Sequence, residues 1–152
     1  MKKILSAIIA TVLIFALSAT AFAANTITLQ IGNPMFTVDG ASQEIDPGRG
    51  TAPVIQNDRT LLPIRALIEA LGGKVSFSDL GSQQIVHIEY ADATVSLVIG
   101  VPIAFKDGNA YALDSAPVIM NDRTFLPVRF ILENIGCNVE WDESTQTVTI
   151  TK

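Results

Sequence analysis

The residues that could perform acid–base chemistry in this chain are carboxylates in short polar segments. Asp58 and Asp122 each stand in the tripeptide Asn-Asp-Arg, and Asp142 and Glu143 are adjacent near the end of the sequence. A pair of carboxylates can supply the acid and the base of a glycoside hydrolase. Aspartate is also favoured in turns for backbone reasons alone. Because there is one histidine and no Gly-rich phosphate motif, we interpret these carboxylates as turn residues and predict no catalytic residue.

Neither the histidine nor the cysteine has the neighbours that chemistry would need. His87 stands between Val86 and Ile88 in an alternating segment, so we expect its side chain on the opposite face of a strand, toward solvent. A metal site would need further nitrogen or sulfur ligands, and none is nearby. Cys137, the single cysteine, follows a glycine in an apolar neighbourhood, which favours a small packed residue over a reactive thiol. We therefore predict no metal and no cofactor.

Arginines recur in pairs. Arg59 and Arg123 follow the two Asn-Asp dipeptides, and Arg65 and Arg129 lie six residues further on, each with a glutamate four positions later. Two equivalent sites for an anionic ligand are one interpretation. The interpretation we favour is structural, in which the later arginines pair with the i+4 glutamates and the turn arginines cap backbone carbonyls.

These residues recur because a long segment recurs. Residues 52–65 match residues 116–129 at an offset of 64, and the match continues to Phe77 and Trp141. Upstream the offset is 68, which places four extra residues at 47–50, and downstream it is 62. We predict two tandem copies of one unit, at residues 27–90 and 93–152.

Each copy predicts the same order of elements. A β-rich run leads to an Asp-Gly hairpin turn, a short strand follows, and then comes a helix. Pro63 and Pro127 stand where this helix would begin, and Gly72 and Gly136 where it would end. A second hairpin closes the unit. The predicted fold class is α+β, a mostly antiparallel sheet with one short helix per repeat and the two tandem repeats packed together.

Apolar residues at i, i+3, i+4 and i+7 define one buried face on each predicted helix. They are Ile64, Leu67, Ile68 and Leu71 in the first, and Val128, Ile131, Leu132 and Ile135 in the second. A unit of roughly 60 residues without a disulfide buries little apolar surface. We therefore expect the copies to pack together, with exchange of strands left open. The repeated motif residues interpreted as structural are Asn57, Asp58, Arg59, Pro63, Arg65, Gly72, Asn121, Asp122, Arg123, Pro127, Arg129 and Gly136.

The first residues predict export. Two lysines precede an apolar stretch at residues 4–17, and small residues then form an A-x-A site at Ala21 and Ala23. The stretch is shorter than the roughly 20 residues of a membrane anchor. We predict a signal peptide at residues 1–23, a mature region at 24–152 without a membrane anchor, and a secreted or extracellular location. The mature charge, 8 − 15 = −7, argues against nucleic acid and anionic membranes as partners.

The repeated segment resembles a known family. Residues 60–79 and 124–142 share one pattern. It begins with a hydroxyl residue, two apolar residues, Pro, an apolar residue and Arg. A helix ending in Gly follows, and then a strand with an aromatic residue and Asp. This pattern is similar to the copper amine oxidase N-terminal domain-like family, the stalk domain. The resemblance implies a mostly antiparallel sheet packed against a helix in exported bacterial proteins, often beside cell-wall hydrolase or other surface domains. In the amine oxidases the domain is an appendage remote from the copper.

Amine oxidation itself is excluded by the residues present. A copper amine oxidase needs three histidine ligands and a tyrosine that becomes its quinone cofactor. This chain has His87 alone, and Tyr90 and Tyr111 lack the Asn-Tyr-acidic setting of that tyrosine.

Positions that differ between the copies are the better candidates for function. Ala66 and Ala70 of the first helix correspond to Phe130 and Asn134, and Phe77 corresponds to Trp141. Phe130 is expected at the seam between copies, with a partner site as the alternative.

Three functions are compatible with these features. The leading hypothesis is an exported, non-catalytic interaction or scaffold module of the bacterial cell envelope, whose partner is an envelope protein or a cell-wall polymer. The alternative is binding of cell-wall glycan (peptidoglycan), and Tyr111, Phe130 and Trp141 are the candidate binding residues. A small wall hydrolase is the third hypothesis, and it lacks a catalytic constellation.

Overall fold

A computed structural model describes residues 25–152, so the predicted signal peptide and its cleavage site at Ala21 and Ala23 lie outside the described residues. The first half contains β1 (Thr26–Gln30), β2 (Met35–Val38), β3 (Ala41–Glu44), β4 (Val54–Gln56), β5 (Arg59–Pro63), α1 (Ile64–Ala70), β6 (Lys74–Asp79) and β7 (Gln84–Tyr90). The second half contains β8 (Ala93–Val98), β9 (Ile103–Lys106), β10 (Asn109–Ala112), β11 (Val118–Met120), β12 (Arg123–Pro127), α2 (Val128–Asn134), β13 (Asn138–Asp142) and β14 (Thr147–Thr151). The order of strands and helix is the same in both halves. Residues aligned by the internal sequence match are called counterparts below.

The strands form three sheets, and every strand pair within residues 25–152 is antiparallel. Two sheets have five strands, in the orders β13-β14-β1-β2-β3 and β10-β9-β8-β7-β6, and the third has four, in the order β11-β12-β5-β4. With its two short helices the protein is of the α+β class, as the sequence predicts.

Each five-stranded sheet combines strands from both halves. The hairpin β13–β14 joins the first half through β1, where Thr28 pairs with Thr149. The hairpin β6–β7 joins the second half through β8, where His87 pairs with Ser96. The hairpin that follows each helix therefore completes the sheet of the other half.

The four-stranded sheet brings the halves together at its centre. Leu62 of β5 pairs with its counterpart Leu126 of β12, and the residues on either side pair crosswise. This register is symmetric about the two leucines, and both side chains have no exposed surface.

One hydrophobic core serves both halves. All eight apolar positions predicted for the two helix faces are buried, none more than 5 % exposed. They belong to a single cluster that includes alternate residues of the five-stranded sheets, such as Ile27 and Leu29 of β1 and Val95 and Leu97 of β8. The alternation fits strands with one face on the core and the other toward water.

Backbone geometry accounts for the most conspicuous motif residues. Asn57 and Asp58 have φ of 51° and 60°, and Asn121 and Asp122 have φ of 50° and 59°. Two consecutive positive φ angles define the two-residue hairpin turn in which Asn, Asp and Gly are favoured. Asn-Asp is therefore in each motif because the β4–β5 and β11–β12 turns need it.

The helix boundaries differ slightly from the prediction. Pro63 and Pro127 are the last strand residues and cap the helices, with φ of −68° and −70° and extended ψ, and the first helical residues are Ile64 and Val128. Proline has no N–H, so it fits a position where the helix needs no donor. Gly72, with φ of +88°, lies beyond the helix end as predicted, as does Gly136.

Candidate functional site: two counterpart clefts

Two clefts lie at counterpart places in the molecule. Each is bounded by the helix and following strand of one half and by the Asn-Asp-Arg turn of the other. The narrow cleft, about 420 Å³, is lined by Arg65 and Glu69 of α1 and by Arg123. The wide cleft, about 730 Å³, is lined by the counterparts Arg129 and Arg59. Both clefts therefore lie where the two halves meet.

An ion pair crosses the narrow cleft. The Arg123 guanidinium donates to both carboxylate oxygens of Asp46, with Nη2 3.2 Å from Oδ1, and Asp46 also accepts a hydrogen bond of 2.8 Å from the Thr51 hydroxyl. The hydrogen bond from Arg123 holds the pKa of the Asp46 carboxyl below its usual value, and the same bond raises the pKa of Arg123. A two-pronged pair of this kind fixes both side chains. Asp46 adjoins residues 47–50, which have no counterpart in the second half.

The corresponding ion pair of the wide cleft is loose. Arg59 Nε lies 3.5 Å from Asp114 Oδ2, and the two side chains are 48 % and 77 % exposed. Exposed pairs of this geometry contribute little to stability. Arg59 also donates to its own turn through the Asp58 carbonyl at 3.1 Å, as Arg123 does to the Asp122 carbonyl at 3.0 Å. The turn arginines thus cap carbonyls as predicted, but their aspartate partners were not predicted.

The helix arginines also differ. Arg65 lies 3.5 Å from both Glu69 Oε1 and the Val75 carbonyl, and its guanidinium carbon is 5.2 Å from the centroid of the Phe77 ring. Its counterpart Arg129 is exposed and makes no side-chain hydrogen bond, ion pair or ring contact within residues 25–152. The predicted i+4 pairing therefore holds for the first helix, whereas that of Arg129 with Glu133 is wrong.

Aromatic residues are concentrated at the wide cleft. Phe130 and Trp141 both line it, where the narrow cleft has Ala66 and Phe77. Tyr111 of β10 packs against Phe130, with ring centroids 5.5 Å apart and planes at 45°. The structure therefore gathers the three candidate binding residues in one region, although Tyr111 supports Phe130 from outside the lining.

Trp141 has a polar atom without a hydrogen-bond partner among residues 25–152. It lies on β13, opposite Val148 of β14, and is half-buried. Among the described residues its indole N–H has no hydrogen-bond partner, whereas buried tryptophan N–H groups usually find one. A ligand in the wide cleft can therefore meet both a ring face and a donor at this residue.

Of the adjacent carboxylates Asp142 and Glu143, Glu143 lines the wide cleft and Asp142 does not. Asp142 accepts hydrogen bonds from the Ser144 hydroxyl and from the Ser144 and Thr145 amides, and the hydroxyl is the main reason why its pKa is lowered. A carboxyl with a lowered pKa stays ionised and is a poor general acid. Residues 25–152 also contain no cluster of three His, Cys, Asp or Glu side chains suited to a metal.

His87 departs from the expectation of a solvent-facing side chain. It lies on the face opposite Val86 and Ile88, but its ring is only partly exposed and bridges the Ser78 and Ser96 hydroxyls at 3.0 Å each. Both ring nitrogens are occupied by neighbouring strands, so this residue ties β6, β7 and β8 together. Cys137 is buried as predicted, and burial raises the pKa of its thiol, which lowers its reactivity.

Asp46 and Asp114 are the site residues missed in the sequence. Asp46 directly precedes the extra segment 47–50. Asp114 is its counterpart at the upstream offset of 68. Their common offset was a signal that both belong to the repeated framework.

Within the described part of the chain, no helix is both long and apolar enough to span a membrane.

A family model for the copper amine oxidase N-terminal domain matches residues 38–150. The chain belongs to this family. The match to the copper amine oxidase N-terminal domain is a single one that takes in parts of both halves, so it does not divide the chain into two tandem domains of the family. In copper amine oxidases this domain is non-catalytic. No curated protein and no solved structure matches the chain.

Proposed function

We propose that this protein is an exported, non-catalytic interaction module of the bacterial cell envelope, and that it contacts its partner through the wide cleft. One observation carries the proposal. Of two clefts built on the same framework, one is crossed by the Asp46–Arg123 pair, and the other holds Arg129, Phe130 and Trp141 without internal polar partners for Arg129 or the indole. Concave, partly apolar surfaces with a few unpaired polar groups are typical binding sites.

The interpretation of the halves as two tandem copies is part of this proposal. It is supported by the internal sequence match, by the identical order of elements and by the symmetric pairing of Leu62 with Leu126. Features shared by both copies then serve the fold. Features found in one copy, including Phe130 and Trp141, are left for function.

Export and the lack of catalysis are proposed on the sequence. Residues 1–23 have the charge, apolar run and A-x-A site of a signal peptide, and cleavage there would release residues 24–152 outside the cell. The family's non-catalytic domain in copper amine oxidases supports a binding role for this chain, without a cofactor of its own.

Co-sedimentation with bacterial envelopes tests the proposal. Residues 24–152 would be mixed with an envelope fraction that retains its proteins and wall polymers, and the bound protein would be measured. We expect the double variant Arg129→Ala/Trp141→Ala to lose most of its retention, because both side chains present free groups in the wide cleft.

The matched control is Arg65→Ala/Phe77→Ala, which removes the counterparts from the narrow cleft. We expect this control to be retained like the wild-type protein. Equal retention of both variants, or greater loss with the control, would show that the wide cleft is not the contact surface. Circular dichroism of both variants would establish that each is folded.

A further inference from the structure

We propose that the wide cleft binds an uncharged glycan, with one pyranose ring stacked on Trp141. This inference rests on the proposed function only in using the same cleft. It adds the chemical class of the ligand and the residue that would position it.

Trp141 is partly exposed in the wide cleft, and its ring differs from that of its counterpart in having no cation over it. In the narrow cleft the Arg65 guanidinium lies over Phe77 at 5.2 Å. Within residues 25–152 no cation lies over Trp141. The apolar C–H face of a pyranose can pack on such a ring, because an indole offers a large, flat apolar surface beside a polar N–H.

The polar groups around the ring suit hydroxyls. A sugar hydroxyl both donates and accepts hydrogen bonds, so it needs partners of both kinds. The wide cleft offers donors in Arg59 and Arg129, acceptors in Glu133 and Glu143, and both in the amide of Gln146. Hydrogen bonds to charged groups are among the stronger ones.

The balance of charge argues against an anionic polymer. The wide cleft is lined by four carboxylates and two guanidiniums, a formal charge of −2, and the whole chain carries −5. A polyanion would meet net repulsion both at the cleft and at a distance. An uncharged, hydroxyl-rich ligand can use both signs of charge without this cost.

Trp141 is the single tryptophan of the chain, so its fluorescence reports directly on the cleft. Residues 24–152 would be titrated with three probes, the N-acetylglucosamine hexamer, cellohexaose and polygalacturonate. We expect a saturable change in emission with at least one of the two neutral oligosaccharides. We expect it to persist from about 0.05 to about 0.5 M salt, because the binding of an uncharged ligand is not screened.

Calorimetry with the neutral oligosaccharide then compares variants. We expect Trp141→Ala to weaken binding at least about tenfold, since loss of a central aromatic contact commonly costs that much. Trp141→Phe should retain part of the affinity because it keeps a ring. Phe77→Ala, in the narrow cleft, should bind like the wild-type protein.

Several outcomes would overturn the inference. They are no saturable response to either neutral oligosaccharide, binding of polygalacturonate alone with steep loss in salt, or equal binding by Trp141→Ala and the wild-type protein. If the oligosaccharides fail while envelope retention still depends on Arg129 and Trp141, the glycan is wrong and a protein partner at the same cleft remains. If retention fails as well, the proposed function fails with it.

Discussion

The narrow and wide clefts occupy the same place in the two halves, yet the ion pair of the narrow cleft is tight and that of the wide cleft is loose. Asp46 and Arg123 form a two-pronged ion pair in the first, while Asp114 and Arg59 are 3.5 Å apart and exposed in the second. The framework evidently tolerates either state. The difference between them is not imposed by the shared framework, which makes it a guide to function.

The helix arginines of the two clefts also differ in their contacts. Arg65 forms an ion pair with Glu69 and lies over the Phe77 ring, so its charge has partners within the protein. Arg129 stands at the same helical position with no such contacts among the described residues. The same residue type at the same place therefore has a structural role in one half and is available to a ligand in the other.

The two halves share one hydrophobic core, and truncating side chains within it has the largest expected effect. Leu62→Ala and Leu126→Ala each remove a fully buried side chain from the paired strands β5 and β12. We expect each to cost about 2–5 kcal/mol in the free energy of unfolding, with similar values for the two. Urea denaturation should show a single transition for both variants. Two separate transitions would show that the halves unfold independently.

Converting the narrow cleft into a wide one would sharpen the comparison. Deleting residues 47–50 and introducing Asp46→Ala, Ala66→Phe and Phe77→Trp would give it the aromatic residues and openness of its counterpart. We expect the number of bound neutral hexasaccharides per chain, measured by calorimetry, to rise from one to two. An unchanged stoichiometry in a folded variant would mean that other features of the wide cleft are needed.

The ion pair of the narrow cleft should appear in the pH dependence of stability. Because Arg123 lowers the folded-state pKa of Asp46, the pair's stabilisation is present above the unfolded pKa of about 4 and is lost as the pH falls through the folded value. We expect the thermal midpoint of the wild-type protein to fall more steeply than that of Asp46→Asn between about pH 5 and about pH 2. Asp114→Asn is the matched control and should keep the wild-type slope. Parallel curves for all three proteins would contradict a stabilising Asp46–Arg123 pair.

The smallest expected effect separates the two helix arginines. Arg65→Met loses an exposed i,i+4 pair and a cation–π contact, and we expect a loss of about 0.5–1 kcal/mol in the free energy of unfolding. Arg129→Met loses no comparable contact, so a change below about 0.3 kcal/mol is expected. Equal losses measured by urea denaturation would show that Arg129 is also structurally engaged.

Much of the local structure could be predicted from the sequence because its causes are local. The helix faces follow from apolar residues spaced three and four apart, and all eight are buried. The Asn-Asp turns follow from the positive φ angles that these residues tolerate. The helix starts were displaced by one residue because proline served as the cap instead of the first helical residue.

The pairing of strands could not be predicted in the same way, because partners are far apart in the chain. Thr26 pairs with Thr151, and Asp46 reaches Arg123 across 77 positions. Periodicity shows which face of a strand is buried but not which strand lies beside it. The interpretation of His87 as solvent-facing was incomplete for this reason, since its serine partners lie on two other strands.

The candidate site was predicted in its residues but not in its shape. Differences between the two aligned halves of the sequence singled out Phe130 and Trp141, and both line the wide cleft. Phe130 was expected at the seam between copies or at a partner site. Because the wide cleft also contains Arg59 from the first half, the seam and the cleft coincide at this point. The contacts of Arg65 with Glu69 and the Phe77 ring depend on where the side chains are placed, which residue spacing alone does not determine.

The exchange of hairpins also affects when the sheet that contains β1 can form. Strand β1 is the first to emerge from any machinery that delivers the chain N-terminus first, but one of its two neighbours is β14. Until β14 arrives, that edge of β1 is left open, and an open edge can pair with another chain. Strand β1 therefore gains its second neighbour only when residues 147–151 have been delivered, and its edge stays open until then.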